Sequence, residues 1–207
     1  MNIPKVMTHI WIGPKEPPLK WMNTWKEKHP DWKYKVFGNK ELESFDFKCA
    51  HIIEHYLKEE QYAGVADIIR YELLYKEGGF IPPADAICLE NTDELWIEPE
   101  DYCYTVYEQE NFRPGFVSPI YACNSGNTFV KEIIDELMDL PKHNIRLPFQ
   151  TTGNEFLGLF IIRKNPKIKI FPSHYFIPTH FWNPDIRYAG TDKVYAEQMW
   201  GTTKNIY

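Results

Sequence analysis

Ala66-Asp67-Ile68-Ile69-Arg70-Tyr71-Glu72-Leu73-Leu74-Tyr75-Lys76-Glu77-Gly78-Gly79-Phe80-Ile81-Pro82-Pro83-Ala84-Asp85 is the stretch from which the rest of this chain can be read. Val65, Ile69 and Leu73 recur at helical spacing, so the part up to Glu77 predicts a helix. Asp67 and Arg70 stand at i and i+3, share a face of that helix and can pair. Gly78-Gly79 supplies the left-handed stop that a helix C-terminus often needs, and a short apolar segment then delivers Asp85. A nearly buried helix that carries Asp and Arg must satisfy those charges, because unpaired buried charge is costly. Spacing alone leaves two readings open: a structural ion pair, or an acid and a base turned toward a ligand.

The flanking sequence alternates strand and helix patterns. Val6 to Ile12 predicts a buried strand closed by Gly13-Pro14, Leu19 to Lys28 a helix, and Lys33 to Phe37 a strand. Asn39 to Glu43 and Cys49 to Glu60 predict short helices before the Asp67 helix. After Asp85, strands are expected at Ala86 to Leu89, Asp101 to Glu108, Phe116 to Cys123 and Ile168 to Phe171. Helices are expected at Asn127 to Leu140 and Asn154 to Lys164, and an irregular aromatic segment from Pro172 to Tyr188. This order implies an α/β fold with parallel strands. With no repeat, linker or low-complexity tract, residues 1–207 are expected to form one domain. Ligands of open α/β sheets lie beyond the carboxyl ends of strands. Trp11, Asp85 and the start of the helix after Gly126 are therefore the places to expect one.

Composition excludes several function classes. A net charge of −6 with no basic run disfavours a nucleic-acid partner. Cys49, Cys88, Cys103 and Cys123 form no Cys-x-x-Cys and read as buried free thiols of a reducing compartment. No segment approaches the length of a membrane span or a signal peptide, so a cytoplasmic protein is expected. The 7 Trp, 13 Tyr and 13 Phe serve a core, and equally serve to stack sugars and bases. No Ser or Cys stands at triad spacing from a histidine.

The central stretch resembles the core of the DXD-type sugar-nucleotide glycosyltransferases of family 32, which runs Ala-Asp-x-x-Arg-Tyr, Leu-Tyr, Gly-Gly and a strand ending in Asp-x-Asp. Ile3-Pro4-Lys5-Val6-Met7-Thr8-His9-Ile10-Trp11 is similar to that family's opening strand, and Trp21, Trp25 and His29-Pro30-Asp31-Trp32 to its next helix and loop. Thr151-Thr152-Gly153 resembles a Thr-Gly-Pro element, and Tyr195 to Thr203 a His-His-Trp-x-x-Ser element. The departures are specific. Pro83 stands in place of the first DXD aspartate, Thr8 in place of the opening strand's histidine, and Gln198 and Met199 in place of the histidine pair.

The resemblance implies a GT-A (Rossmann-like) fold with a mixed, mostly parallel sheet flanked by helices. It implies transfer of a sugar from a nucleoside-diphosphate sugar, UDP-linked, to a hydroxyl of a glycan, protein or lipid acceptor, with retention at the anomeric carbon. A non-catalytic nucleotide-sugar or glycan-binding protein on the same fold is the alternative that Pro83 and the missing histidines motivate. By the same resemblance Asp67, Arg70 and Asp85 are the catalytic candidates, and Asp85 with Gln198 would hold Mn²⁺ or Mg²⁺. The substrate-binding candidates are His9, Ile10, Trp11, Ala66, Ala84, Thr152, Gly153, Thr203 and Lys204. Trp11 can stack on a base or fill the core. His9 is set on the same face by strand alternation and can serve structure or ligand, and Lys204 can meet a phosphate or be a solvated lysine of the tail. Proline at 83 offers no acceptor side chain and no N–H. Pro83→Asp should therefore tighten Mn²⁺-dependent binding of UDP by about 1–3 kcal/mol. Calorimetry with excess Mn²⁺ checks this, and no gain in a folded variant would mean that position 83 does not line a nucleotide site.

Overall fold

The computed structural model describes residues 2–204 and 206, with 202 and 203 described by backbone alone. Val6–Ile10 (β1) and Lys33–Phe37 (β2) pair in parallel from Val6–Lys33 to Ile10–Phe37. Leu19–Lys28 (α1) crosses between them and buries Trp21, Met22 and Trp25, with the Trp25 ring edge-on to Phe80. Asn39–Ser44 (α2), Ala50–Lys58 (α3) and Tyr62–Glu77 (α4) follow, and α4 returns through Gly78 into the short strand Gly79–Phe80 (β3), parallel to β1. Both glycines are needed there. Gly78 has φ +67° and Gly79 φ +100°, and a Cβ on Gly79 would come within 2.3 Å of the Val6 carbonyl.

The chain continues through Ala86–Cys88 (β4), Cys103–Val106 (β5), Ala122–Cys123 (β6), Thr128–Met138 (α5), Pro148–Thr151 (α6), Asn154–Lys164 (α7), Ile168–Phe171 (β7), Ala196–Gln198 (β8) and Gly201–Lys204 (α8). The main sheet has the order β2-β1-β3-β6-β5-β7, and β4 pairs with β8 in a separate two-stranded sheet. In the main sheet β1 with β2, β1 with β3, and β5 with β7 are parallel, and β6 is antiparallel to both its neighbours. This is the expected mixed, mostly parallel sheet flanked by helices. One core face packs α3, α4, α5 and α7, and the other gathers Met7, Trp25, Phe80 and Trp96. Among the described residues no helix is long and apolar enough to cross a membrane.

Two expectations are corrected, and one strand pairing was not foreseen. The strand foreseen over Phe116 to Cys123 shrinks to Ala122–Cys123, with an isolated bridge between Tyr107 and Val117. Pro119 has no N–H for the ladder, and the Ser118 and Pro119 carbonyls accept from the Thr105 hydroxyl instead. The helix start after Gly126 lies away from the cleft that gathers Trp11 and Asp85. Asn127 Oδ1 accepts from the Phe129 and Val130 N–H groups, and neighbouring Asn124 bonds Asn2 O at the opposite end of β1 from Trp11. The β4–β8 pairing was not foreseen, because three residues with a central glutamate carry no readable alternation.

Glu72 is a buried carboxylate on α4 that serves another helix. It is 5% exposed and accepts from Lys48 N at 2.9 Å and Cys49 N at 2.8 Å, at the entry to α3. Glu72→Ala strands both donors and should cost about 2–3 kcal/mol. Urea unfolding of parent and variant measures it, with Glu72→Gln expected to lose less.

Candidate active site

At the carboxyl end of β1 the chain places Ile10, Trp11 and Ile12. Because α4 runs antiparallel to β3, its N-terminal half lies beside them with Tyr62, Ala66, Asp67 and Arg70. The segment after β3 closes the far side with Pro83, Ala84 and Asp85. Together they enclose a cleft of about 430 Å³. Its rim is a tight loop in which Trp11 Nε1 donates to Lys15 O at 2.7 Å and Gly13, at φ +116°, packs on the Tyr62 ring. A second lobe of about 410 Å³ shares Ala63, Asp67, Arg70 and Pro83 with the first, and is walled by Glu108, Tyr121, Phe149, Asn154, Gln198 and Trp200. Asp67 and Arg70 thus form a ridge between two lobes.

Asp67 and Arg70 do not close on each other. Thr152 Oγ1 donates to Asp67 Oδ2 at 2.9 Å, while the Arg70 guanidinium lies 5.6 Å from the centre of the Tyr121 ring. Burial pushes the Asp67 carboxyl up to about 7, against the opposing pull of Arg70 and Thr152. Arg70 Nε is buried with no hydrogen-bond partner among the described residues. Burial also raises the Tyr121 hydroxyl to about 12, with Arg70 and then Ser118 pulling it down. Asp85 Oδ1 accepts from Gln198 Nε2 at 2.7 Å, and Asp85 O from Met199 N at 2.8 Å, so the β4–β8 pairing carries Gln198 to the aspartate. Glu108 is buried in the second lobe with Arg113 Nη1 at 2.6 Å, and burial raises its carboxyl against the pull of Arg113.

Ile10, Trp11, Ala66, Asp67, Arg70, Ala84 and Asp85 all line the first lobe, and Gln198 the second. Others lie elsewhere. His9 is fully buried below the cleft, edge-on to Trp25 and Tyr34, with Nδ1 2.9 Å from the Tyr34 hydroxyl. Burial and then Arg70 lower its pKa to about 3, so it is neutral. The alternation that aligned it with Trp11 fails because β1 ends at Ile10. Thr152 is likewise fully buried, and it and Gly153 stand behind Asp67. A Cβ on Gly153 would sit 3.2 Å from Asp67 Oδ2 and 3.0 Å from the Phe149 backbone. Lys204 is exposed and outside both linings, and the Thr203 side chain lies outside the described residues.

The donor set does not make a resident metal site. Among the described residues no group of three His, Cys, Asp or Glu side chains could share an ion. Pro83 stands in the cleft where the resemblance would place a second carboxylate beside Asp85, and Asp85 Oδ1 already takes the Gln198 N–H. Lys15, Tyr62, Glu108, Tyr121 and Asn154 were missed by sequence reasoning. Gly13, beside Tyr62, was the one available signal. The others reach the cleft only through tertiary packing.

The Asp67 carboxyl has a consequence for stability. Its folded pKa, about 7, lies above the ordinary value of 3.8, so the native state binds the proton that the unfolded chain releases between those values. The Asp67 contribution is therefore least favourable above pH 7 and improves as pH falls, by at most about 1.4 kcal/mol per unit. Asp67→Asn should be more stable than the parent at pH 8, with the gap closing toward pH 5. Urea unfolding at both pH values checks it, and a gap that widens on acidification would contradict it.

Residues 18–103 match the model of a glycosyltransferase sugar-binding region containing a DXD motif. Inositol phosphoceramide mannosyltransferase 3 of Schizosaccharomyces pombe is 25% identical over 169 residues, which cover 76% of this chain and 44% of the relative, so the chain spans under half of that protein's length. The solved PaToxG glycosyltransferase superposes with a TM-score of 0.62 at 16% identity, covering 78% of this chain and 70% of its own. A glycosyltransferase involved in glycosylation of the major capsid of PBCV-1 covers 97% of each chain at a TM-score of 0.52 and 10% identity. The chain is thus similar over residues 18–103 to the DXD-containing sugar-binding region of glycosyltransferases, and it shares the fold of two solved glycosyltransferases.

Proposed function

We propose that the protein transfers a sugar from a nucleoside-diphosphate sugar, UDP-linked, to a hydroxyl acceptor with retention at the anomeric carbon. The observation that carries this is the open ridge: Asp67 and Arg70 share a helix face between two lobes, and neither neutralises the other. In this reading the first lobe takes the nucleotide, with Trp11 stacking on the base and Ile10, Ala66 and Ala84 forming the wall. The sugar lies across the ridge, where Asp67 accepts from hydroxyls and Arg70 Nε finds the acceptor atom it lacks. As the bond from anomeric carbon to phosphate breaks, negative charge gathers on the leaving diphosphate, and Arg70 and Lys15 offset it. Asp85, held by Gln198, fixes the edge of the lobe. Retention rests on the family resemblance, and the leaving phosphate itself accepts the proton of the incoming hydroxyl.

A non-catalytic sugar-nucleotide binder is the second reading, favoured by one observation: Pro83 lines the cleft in place of a carboxylate. Titration with UDP- and GDP-sugars, with and without Mn²⁺, followed by assay of nucleoside-diphosphate release separates the two. The name of the fission-yeast relative makes mannosyl donors the first to test. Arg70→Lys keeps the charge but loses the planar fork, and should weaken donor binding about tenfold with an unchanged melting temperature. Donor binding that survives in a destabilised variant would assign Arg70 to structure instead.

A further inference from the structure

Past Ile177, which also lines the second lobe, lies a third hollow of about 300 Å³ that the transfer reaction leaves unused. Two of its lining residues carry a buried polar atom with no hydrogen-bond partner among the described residues. Gln109 is 5% exposed, and its Oε1 has no hydrogen-bond partner, while its Nε2 reaches Thr179 O at 3.4 Å. His174 Nε2 is buried and comes only within 3.8 Å of Asp192 Oδ2, beyond hydrogen-bond length. Leaving both unpaired is costly unless a ligand supplies partners. Around them stand aromatic faces. His174 stacks on Tyr188 at 3.9 Å, and Phe112, 52% exposed, meets His180 edge-on at 4.6 Å.

These features select a ligand class. An anion is disfavoured, because Arg187 is taken up by Glu197 and Thr179 and Glu110 adds negative charge to the wall. A purely apolar ligand would leave Gln109 and His174 unsatisfied. A pyranose ring meets both demands, with C–H faces for the rings and hydroxyls for the two orphaned atoms. We propose that this hollow is a carbohydrate subsite that holds an outer sugar of the acceptor glycan, beyond the residue that receives the transferred sugar. Its acceptor role rests on the transferase reading, whereas its affinity for carbohydrate does not.

The test titrates the full chain with gluco-, manno- and galacto-configured disaccharides, by calorimetry and saturation-transfer NMR. Phe112→Ala removes an exposed ring. Gln109→Gly removes the amide at a backbone position, φ +56°, that glycine adopts without strain. At least one disaccharide should bind saturably to the parent and about tenfold more weakly to each variant. Melting temperature and sugar-nucleotide binding should stay unchanged. Failure of every disaccharide to bind the parent, or equal affinity in both variants, overturns the subsite. The same samples titrated with UDP- and GDP-sugars keep the two ideas apart. Disaccharide binding without donor binding defeats the transferase reading and the acceptor role, while donor binding without disaccharide binding defeats the subsite alone.

Discussion

The close approach of Gly79 to β1 is the constraint on which the site depends. With the Val6 carbonyl 2.3 Å from where a Cβ would be, and Ser125 N 2.6 Å from that of Gly78, the reversal after α4 admits no side chain at either position. This fixes where α4 ends against the sheet, and a helix whose end is fixed has every residue placed by its rise. At 1.5 Å per residue, Arg70 lies about 12 Å and Asp67 about 16 Å back from Gly78. That distance carries them from the amino end of β1 to its carboxyl end, where Trp11 leaves the strand. The cleft is thus set by a backbone contact at the far end of the helix from it.

A second layer of constraint manages charge. Helix α4 has carboxylates at both Asp67 and Glu72, and the structure treats them in opposite ways. Glu72 is consumed by two backbone donors and becomes a tie between α4 and α3. Among the described residues Asp67 receives a single hydroxyl hydrogen bond, and it is left to the cleft with a proton affinity raised by burial. Position on the helix decides between the fates: Glu72 faces the entry to another helix, and Asp67 faces the gap between strand ends. Arg70, on the same side as Asp67, settles over an aromatic face in place of a carboxylate.

Much of this was legible in the sequence. The helix with Asp67 and Arg70, the double glycine and the strand toward Asp85 are local patterns, and local patterns survive folding. The bringing together of Asp85 and Gln198 was anticipated by resemblance, but the antiparallel β4–β8 pairing that achieves it was invisible, since three residues leave no period to detect. His9 and Thr152 show the other limit. The resemblance made both candidates for ligand contact, and both are buried, because the facing of a residue near an element's end depends on where that element stops. Glu108, Tyr121 and Asn154 come from distant loops and helix starts, and pairing of that kind is written only in the fold.

Helix α6 has a consequence for how the site can change. Pro148 and Phe149 form part of the wall of the second lobe, while Thr152, just past the last helical residue, holds the Asp67 carboxyl and Gly153 gives it room. Thr152 N and Gly153 N both bond Pro148 O, so wall and support move as one rigid piece. Reshaping the second lobe for a different partner therefore also displaces the Thr152 hydroxyl, which tempers the proton affinity that burial gives Asp67. Partner choice and proton affinity share one short segment, and neither can drift without dragging the other.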